Sequence, residues 1–194
     1  RGLGDVYKRQ WFPGADRQMQ YREGVYIGYR YFDSAQRPVL FPFGHGLSYT
    51  EFAISQAILS NDTLTAQGPV KLTVEVQNTG ALDGAEVVQV YRHMKHSALH
   101  RPEQELCGFA KVHLAAGASG SVEIDLAPEC FQVFDHGQQR WVLEAGGVEL
   151  RIGVSSRDIR LRKMLNVASV DVPSELATQV VRPEFLPADS NPAI

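Results

Sequence analysis

The sequence predicts an all-β protein, an antiparallel β-sandwich of about seven strands. Three observations carry that expectation. Apolar and polar residues alternate from Phe52 onward, most cleanly where Val70, Leu72, Val74 and Val76 are separated by Lys71, Thr73 and Glu75. Turn chemistry interrupts the alternation, as at Asn78-Thr79-Gly80 and Asp83-Gly84. The alternating stretches also recur at short spacing, as the strands of a two-sheet sandwich do.

Phe52–Leu59 is the first strand. The Val70–Gln77 stretch is the second, half-buried with one wet face. Ala85–His93 is the third, rich in Val and with Tyr91 near its end. Met94–Gln104 reads as a loop containing Pro102, and Leu106–Leu114 as strand again. Ala115-Ala116-Gly117-Ala118-Ser119 turns the chain into a stretch where Val122, Ile124 and Leu126 alternate with Glu123 and Asp125. From Pro128 to Gly146 the pattern breaks. Phe131, Phe134 and Trp141 surround Asp135-His136-Gly137, which predicts a short turn or helical piece and then a hairpin closing one edge. Val148, Leu150, Ile152 and Val154 alternate with Glu149, Arg151 and Gly153. Ile159, Leu161, Leu165 and Val167 form a last, less regular strand.

The flanks differ. From Trp11 to Leu40, Val25, Ile27 and Tyr29 alternate with Tyr26 and Arg30, which reads as one apolar strand with too little around it for a core of its own. Phe41 to Thr50 reads as a joint. Pro42 fixes φ and removes a donor, while Gly44 and Gly46 open conformations closed to other residues. Phe41, Phe43, Leu47 and Tyr49 are apolar anchors for a neighbouring domain, and His45 is read as a hydrogen-bonding partner across that interface. Residues 1–10 fit poorly with the rest of the chain and read as a non-native segment resembling a translated library adaptor. The stretch after Asp171 holds Pro173, Pro183, Pro187 and Pro192 and reads as an exposed tail.

Composition excludes several classes. A net charge of −3 supplies no basic face for phosphates, so no nucleic-acid partner is expected. No apolar run approaches a membrane span, so no membrane partner is expected either. Cys107 and Cys130 lie outside any CxxC spacing, which disfavours zinc; two buried free thiols is preferred to a disulfide. His93, His96 and His100 cluster with Lys95, but no Cys or carboxylate stands at ligand spacing, so neither metal nor cofactor is expected. The compartment stays open between periplasmic, secreted and cytoplasmic.

Glu23-Gly-Val-Tyr-Ile-Gly-Tyr-Arg-Tyr-Phe-Asp33 followed by Phe41-Pro-Phe-Gly-His-Gly-Leu-Ser-Tyr-Thr50 resembles family 3 of the glycoside hydrolases. The resemblance continues through Val74-Glu-Val-Gln-Asn-Thr-Gly80, Asp83 to Tyr91, Arg101-Pro102, Glu105-Leu-Cys-Gly-Phe109 and Gly153 to Ile159. Cys107 stands where the family usually has Lys. The resemblance implies a fibronectin type III-like domain over 51–168, preceded over 11–50 by the remnant of an α/β domain and the joint, and followed by a tail over 169–194. It also implies that the chain's partners are a missing N-terminal barrel and an α/β domain of the same polypeptide.

Enzymes of the family are mostly β-glucosidases, retaining hydrolases of O-glycosyl bonds. Retention needs two carboxyl groups about 5–5.5 Å apart. The family's nucleophile is an Asp in a Ser-Asp-Trp-like context that this sequence lacks, and its acid/base Glu lies upstream of the joint. No catalytic residue is therefore assigned here, and a β-glycoside is substrate only for the whole enzyme. Glu23, Tyr29, Arg30 and Asp33 are read as a rim of the sugar site in that enzyme, against the simpler reading of loop hydrogen bonds and packing. Asp125 reads as a solvated charge, and Glu144 and Asp158 complete the carboxylates weighed as a pair. The alternative function is a free-standing fibronectin-like module that binds carbohydrate or protein, and a third is an adhesion-type domain. A carbohydrate-binding sandwich calls for a row of exposed aromatics, and Trp141 is the only Trp of the predicted sandwich.

Overall fold

In the computed structural model, residues 24–168 are described. The readings for 1–23 and 169–194, Glu23 included, lie outside them. The alternating stretches become ten strands: β1 Phe52–Leu59, β2 Thr63–Leu64, β3 Val70–Asn78, β4 Gly84–Met94, β5 Glu105–Leu114, β6 Ser119–Leu126, β7 Gln132–Asp135, β8 Arg140–Leu143, β9 Gly146–Gly153 and β10 Ile159–Val167.

One sheet has the order β1-β3-β6 and the other β2-β10-β9-β4-β5. Leaving out two-residue β2, the two sheets hold the seven long strands that the sequence predicts. Strand β2 is an addition. It pairs parallel to β10 through Thr63 opposite Asn166 and Leu64 opposite Val167. Two alternating positions are too few to show a period, but Leu64 is fully buried and explains the contact. The Pro128–Phe131 turn is a short 3-10 helix with Pro at its start, and β7 and β8 form the predicted hairpin after it.

The register of β3 shows how alternation becomes a core. Val70, Leu72 and Val74 stand opposite Leu126, Ile124 and Val122 of β6, all buried, while Lys71, Glu123 and Asp125 face water. Val88 and Val90 of β4 and Leu150 and Ile152 of β9 complete the apolar layer between the sheets. Each such side chain contributes about 1.5–3 kcal/mol on burial. Asn78, fully buried at the end of β3, donates from Nδ2 to the carbonyls of Leu82 and Leu114 and accepts from Thr50 and Gly80. It ties the β3–β4 turn to the end of β5. At Gly153 a Cβ would collide with the Asp158 carbonyl, so the β9–β10 turn needs glycine there.

One element differs in kind from the expectation. The alternation around Val25, Ile27 and Tyr29 does not form a strand. Gly28, at φ 58°, turns the chain into a short helix, α1 (Tyr29–Ser34). Left-handed φ at Gly28 ends the extended path after Ile27. Tyr29, Arg30, Asp33 and Ser34 then find partners on the sandwich, because a helix turn brings i, i+1, i+4 and i+5 to one side.

Candidate functional site

The five-stranded sheet has an inner face in the core and an outer face, and α1 with the joint lies over the outer one. Strand β4 anticipates this cover. Val88, Gln89, Val90, Tyr91 and Arg92 are buried in succession, a run that requires both faces to be shielded.

The joint is held mainly through its backbone, with the Ser48 hydroxyl adding a side-chain contact. Gln89, 4% exposed, donates from Nε2 to the carbonyls of Gly44 (3.2 Å) and Val154 (2.7 Å), and its Oε1 accepts from the Tyr91 hydroxyl. The Ser156 amide donates to the Phe43 carbonyl at 2.8 Å, and the Ser48 hydroxyl to the Ala85 carbonyl at 2.8 Å. Gly44 has φ 82°, and a Cβ there would run into the Gln89 amide. Glycine is therefore required twice over, by conformation and by contact. Burial pushes the Tyr91 phenol well above its ordinary range, so it remains a donor to Gln89.

Helix α1 is held by side chains. The Tyr29 ring stacks on Phe43 with centroids 4.6 Å apart and meets Tyr91 edge-on at 5.9 Å. Its hydroxyl accepts from the Leu106 amide at 2.7 Å, beside the bulge where β4 and β5 slip register. Asp33 accepts from Arg157 Nε at 2.8 Å and from Gln104 Nε2 at 3.3 Å. Ser34 accepts from the Glu103 amide at 2.8 Å, and Arg30 lies 3.6 Å from Glu105. Behind them, Glu105 also pairs with Arg92 at 2.6 Å. Arg151 bridges Glu103 at 3.0 Å and Glu149 at 2.8 Å.

The sequence-read rim residues Tyr29, Arg30 and Asp33 thus come together, and each has a partner on the sandwich. The anchors face solvent, apart from the Phe43 ring, which Tyr29 half covers. Phe41, Phe43, Leu47 and Tyr49 are exposed, Tyr49 to 94%, and Leu40 beside them to 89%. His45 is exposed as well, its ring tilted against Phe41 at 5.2 Å.

The carboxylates weighed as a catalytic pair are dispersed. Asp125 lies in solvent on β6. Glu144 accepts from the Ser97 hydroxyl at 2.6 Å and from Arg101 Nε at 3.3 Å, and so fixes the 95–104 loop. Asp158 is held below its usual range by its hydrogen bonds from Arg160. Burial lowers the Arg101 guanidinium, opposed by Glu144 and Glu105. His93 places Nδ1 2.6 Å from the Glu103 carbonyl. Among the described residues, no three His, Cys, Asp or Glu side chains are grouped to hold a metal ion.

The two thiols are free, but the expectation of two buried ones fails for Cys130, which is exposed on the 3-10 turn while its neighbour Phe131 takes the inward position. Cys107 is buried, and desolvation pushes its thiol up to about 12. Gln89, Gln104 and Arg157 escaped the sequence reading. The apolar pairs Val87-Val88 and Val90-Tyr91 on either side of it, which break strict alternation, are the one local signal for Gln89. Arg157 and Asp33 are too far apart in sequence for any local pattern.

The sandwich and its covered outer face define a fibronectin type III-like domain, and residues 86–156 match the fibronectin type III-like domain family. Together with this domain, the relatives the chain matches support the C-terminal region of a family 3 glycoside hydrolase. It is 39% identical over 158 residues to thermostable β-glucosidase B of Acetivibrio thermocellus, covering 81% of this chain and 21% of that one. It is 40% identical over 148 residues to an exo-α-(1→6)-L-arabinopyranosidase of Bifidobacterium longum, covering 76% and 19%. Among solved structures, the β-glucosidase DesR of Streptomyces venezuelae, in complex with D-glucose, superposes with a TM-score of 0.74 at 38% identity over 82% of this chain and 20% of that one. The chain therefore spans about a fifth of the length of the relatives it matches.

Proposed function

We propose that this chain is the non-catalytic, stabilising C-terminal region of a retaining β-glucosidase-type glycoside hydrolase, and that the barrel and α/β domains of the same polypeptide hold the nucleophile and the acid/base. One observation carries the reading. The joint is fastened to the sandwich by polar contacts, from Gln89 and Ser156 to its backbone and from the Ser48 hydroxyl to the Ala85 carbonyl, while Phe41, Leu47 and Tyr49 stand in solvent and Phe43 is half-exposed beside Tyr29. A segment that exists only to close its own domain would turn those side chains inward. Here the sandwich acts as a rigid base that presents Phe41, Phe43, Leu47 and Tyr49 to a neighbour, with His45 among them. In this reading 51–168 is the domain and 11–50 the end of the preceding one with its joint.

Tyr29, Arg30 and Asp33 serve mainly to clasp α1 to the base, and with Glu23 they border the sugar site only by holding the upstream segment in place. The choice of sugar belongs to the upstream domains. A glucosidase and an arabinopyranosidase at nearly equal identity support that separation. The test is to recover the reading frame upstream of this chain in its source DNA. A barrel with a Ser-Asp-Trp-like segment is expected. A frame that closes just upstream, leaving the sandwich by itself, would return the protein to the class of free-standing binding modules.

A further inference from the structure

The outer face on which the joint lies continues onto the edge strand of the sheet. Phe109 of β5 is 66% exposed, an unusual position for a large aromatic in the middle of a regular strand. It stands directly opposite Gln89 of β4, so both side chains project from the same, outer face of the sheet. Gln89 is the residue that grips Gly44. Phe109 is therefore the next side chain across the sheet from the middle of the joint, and the exposed joint aromatics and Phe109 flank one polar clamp.

Strand β5 is also the last of its sheet, with no strand beyond it among the described residues. An exposed edge strand carrying a central Phe is an aggregation hazard unless something covers it. Tyr29 already covers its beginning, through the Leu106 amide.

We infer that Phe109 and the free edge of β5 are covered, together with Phe41, Phe43 and Leu47, by the upstream domains of the same polypeptide. Phe109 is then an interdomain contact rather than a surface residue. This inference rests on the function proposed above. Two facts favour that occupant over a second copy or a foreign protein. The face is continuous with the joint, through which the upstream chain enters. The matched relatives also carry about four-fifths of their length outside the region shared with this chain.

The test compares Phe109→Ser and Phe43→Ser in two settings: the 194-residue chain, and the same chain joined to the upstream region of the Acetivibrio thermocellus relative in place of its own matching stretch. In the isolated chain, Phe109→Ser should leave the unfolding midpoint unchanged, which also shows that the variant folds. In the joined protein it should speed thermal inactivation on the order of tenfold, the scale set by exposing one buried Phe. Phe109→Leu should restore most of the loss.

If Phe43→Ser speeds inactivation of the joined protein and Phe109→Ser does not, the extension to β5 is wrong and the docked joint stands. If neither substitution matters in the joined protein, the docking itself is wrong. If the isolated chain dimerises and Phe109→Ser abolishes the dimer, the occupant is a second copy and the inference is overturned.

Discussion

Arg157, in the β9–β10 turn, donates from Nε to Oδ1 of Asp33 at 2.8 Å, joining positions 124 residues apart. Its Nη2 also donates to the carbonyls of Arg37, at 2.7 Å, and Phe32, at 3.3 Å. One guanidinium thus holds the carboxylate within α1 and the backbone that leaves it. Such a clasp acts on a local opening, because apart from the Asp33 carboxylate α1 puts little into the protein interior and none of its residues is buried as a whole. Arg157→Ala should speed hydrogen exchange of the Ala35 and Arg37 amides by about ten- to a hundredfold, the loss of a charge-assisted contact worth about 1.5–3 kcal/mol. Exchange at Val74 should not change. Equal acceleration at both places would mean that α1 and the sandwich open as one unit.

Gln89 has a wider effect. Replacing it by Leu removes the donor to Gly44 and Val154 and leaves the buried Tyr91 hydroxyl without its acceptor. An unsatisfied buried group costs about 1–3 kcal/mol, so the chain should lose about 2–3 kcal/mol in urea unfolding. The double variant with Tyr91→Phe should recover part of that loss. No recovery would show that the cost comes from the joint alone.

The thiols should separate by access. An aromatic disulfide reagent should label Cys130 promptly in the native chain and leave Cys107 unreacted, since burial and a thiol raised to about 12 both deny it thiolate. Both should react in denaturant. Fast native labelling at two sites, read by mass spectrometry, would contradict the packing around β5.

The pH dependence has a definite sign at Glu149. Its carboxylate is held below the ordinary value of 4.5 chiefly by the hydrogen bond from Arg151, with Arg162 adding to it. A carboxylate lower in the folded state contributes stability in full above its unfolded value and loses it as pH falls through the folded one. Stability should therefore decline below about pH 4.5, and Glu149→Gln should flatten part of that decline. A steeper acid slope in the variant than in the parent would reverse the assignment.

The sandwich was legible because its signal is local. In β3 every second residue enters the core, and the turns at Asn78-Thr79-Gly80 and Asp83-Gly84 are written in the residues themselves. Helix α1 was not. Its six residues are too few for a helical period, and three apolar positions spaced by two imitated a strand until Gly28 broke the path. The joint was legible as a motif, from Pro42, Gly44 and its aromatics. Its seating was not, because Gln89 and Ser156 reach it from far along the chain. Cys130 misled because it sits beside buried Phe131, and the 3-10 turn sends adjacent side chains to opposite sides.

If the chemistry lies outside this chain and the chain only supports it, activity should follow the upstream domains. The direct measurement is turnover of an aryl β-glucoside by the purified 194-residue chain beside the full-length polypeptide from the recovered reading frame. Hydrolysis with retained configuration is expected from the full-length protein and none from the chain. A retaining hydrolase needs two carboxyl groups about 5–5.5 Å apart, and among the described residues Asp33 and Glu144 are each held by an arginine, Arg157 and Arg101. Turnover that persists through rigorous purification and tracks with the chain would contradict this division of labour.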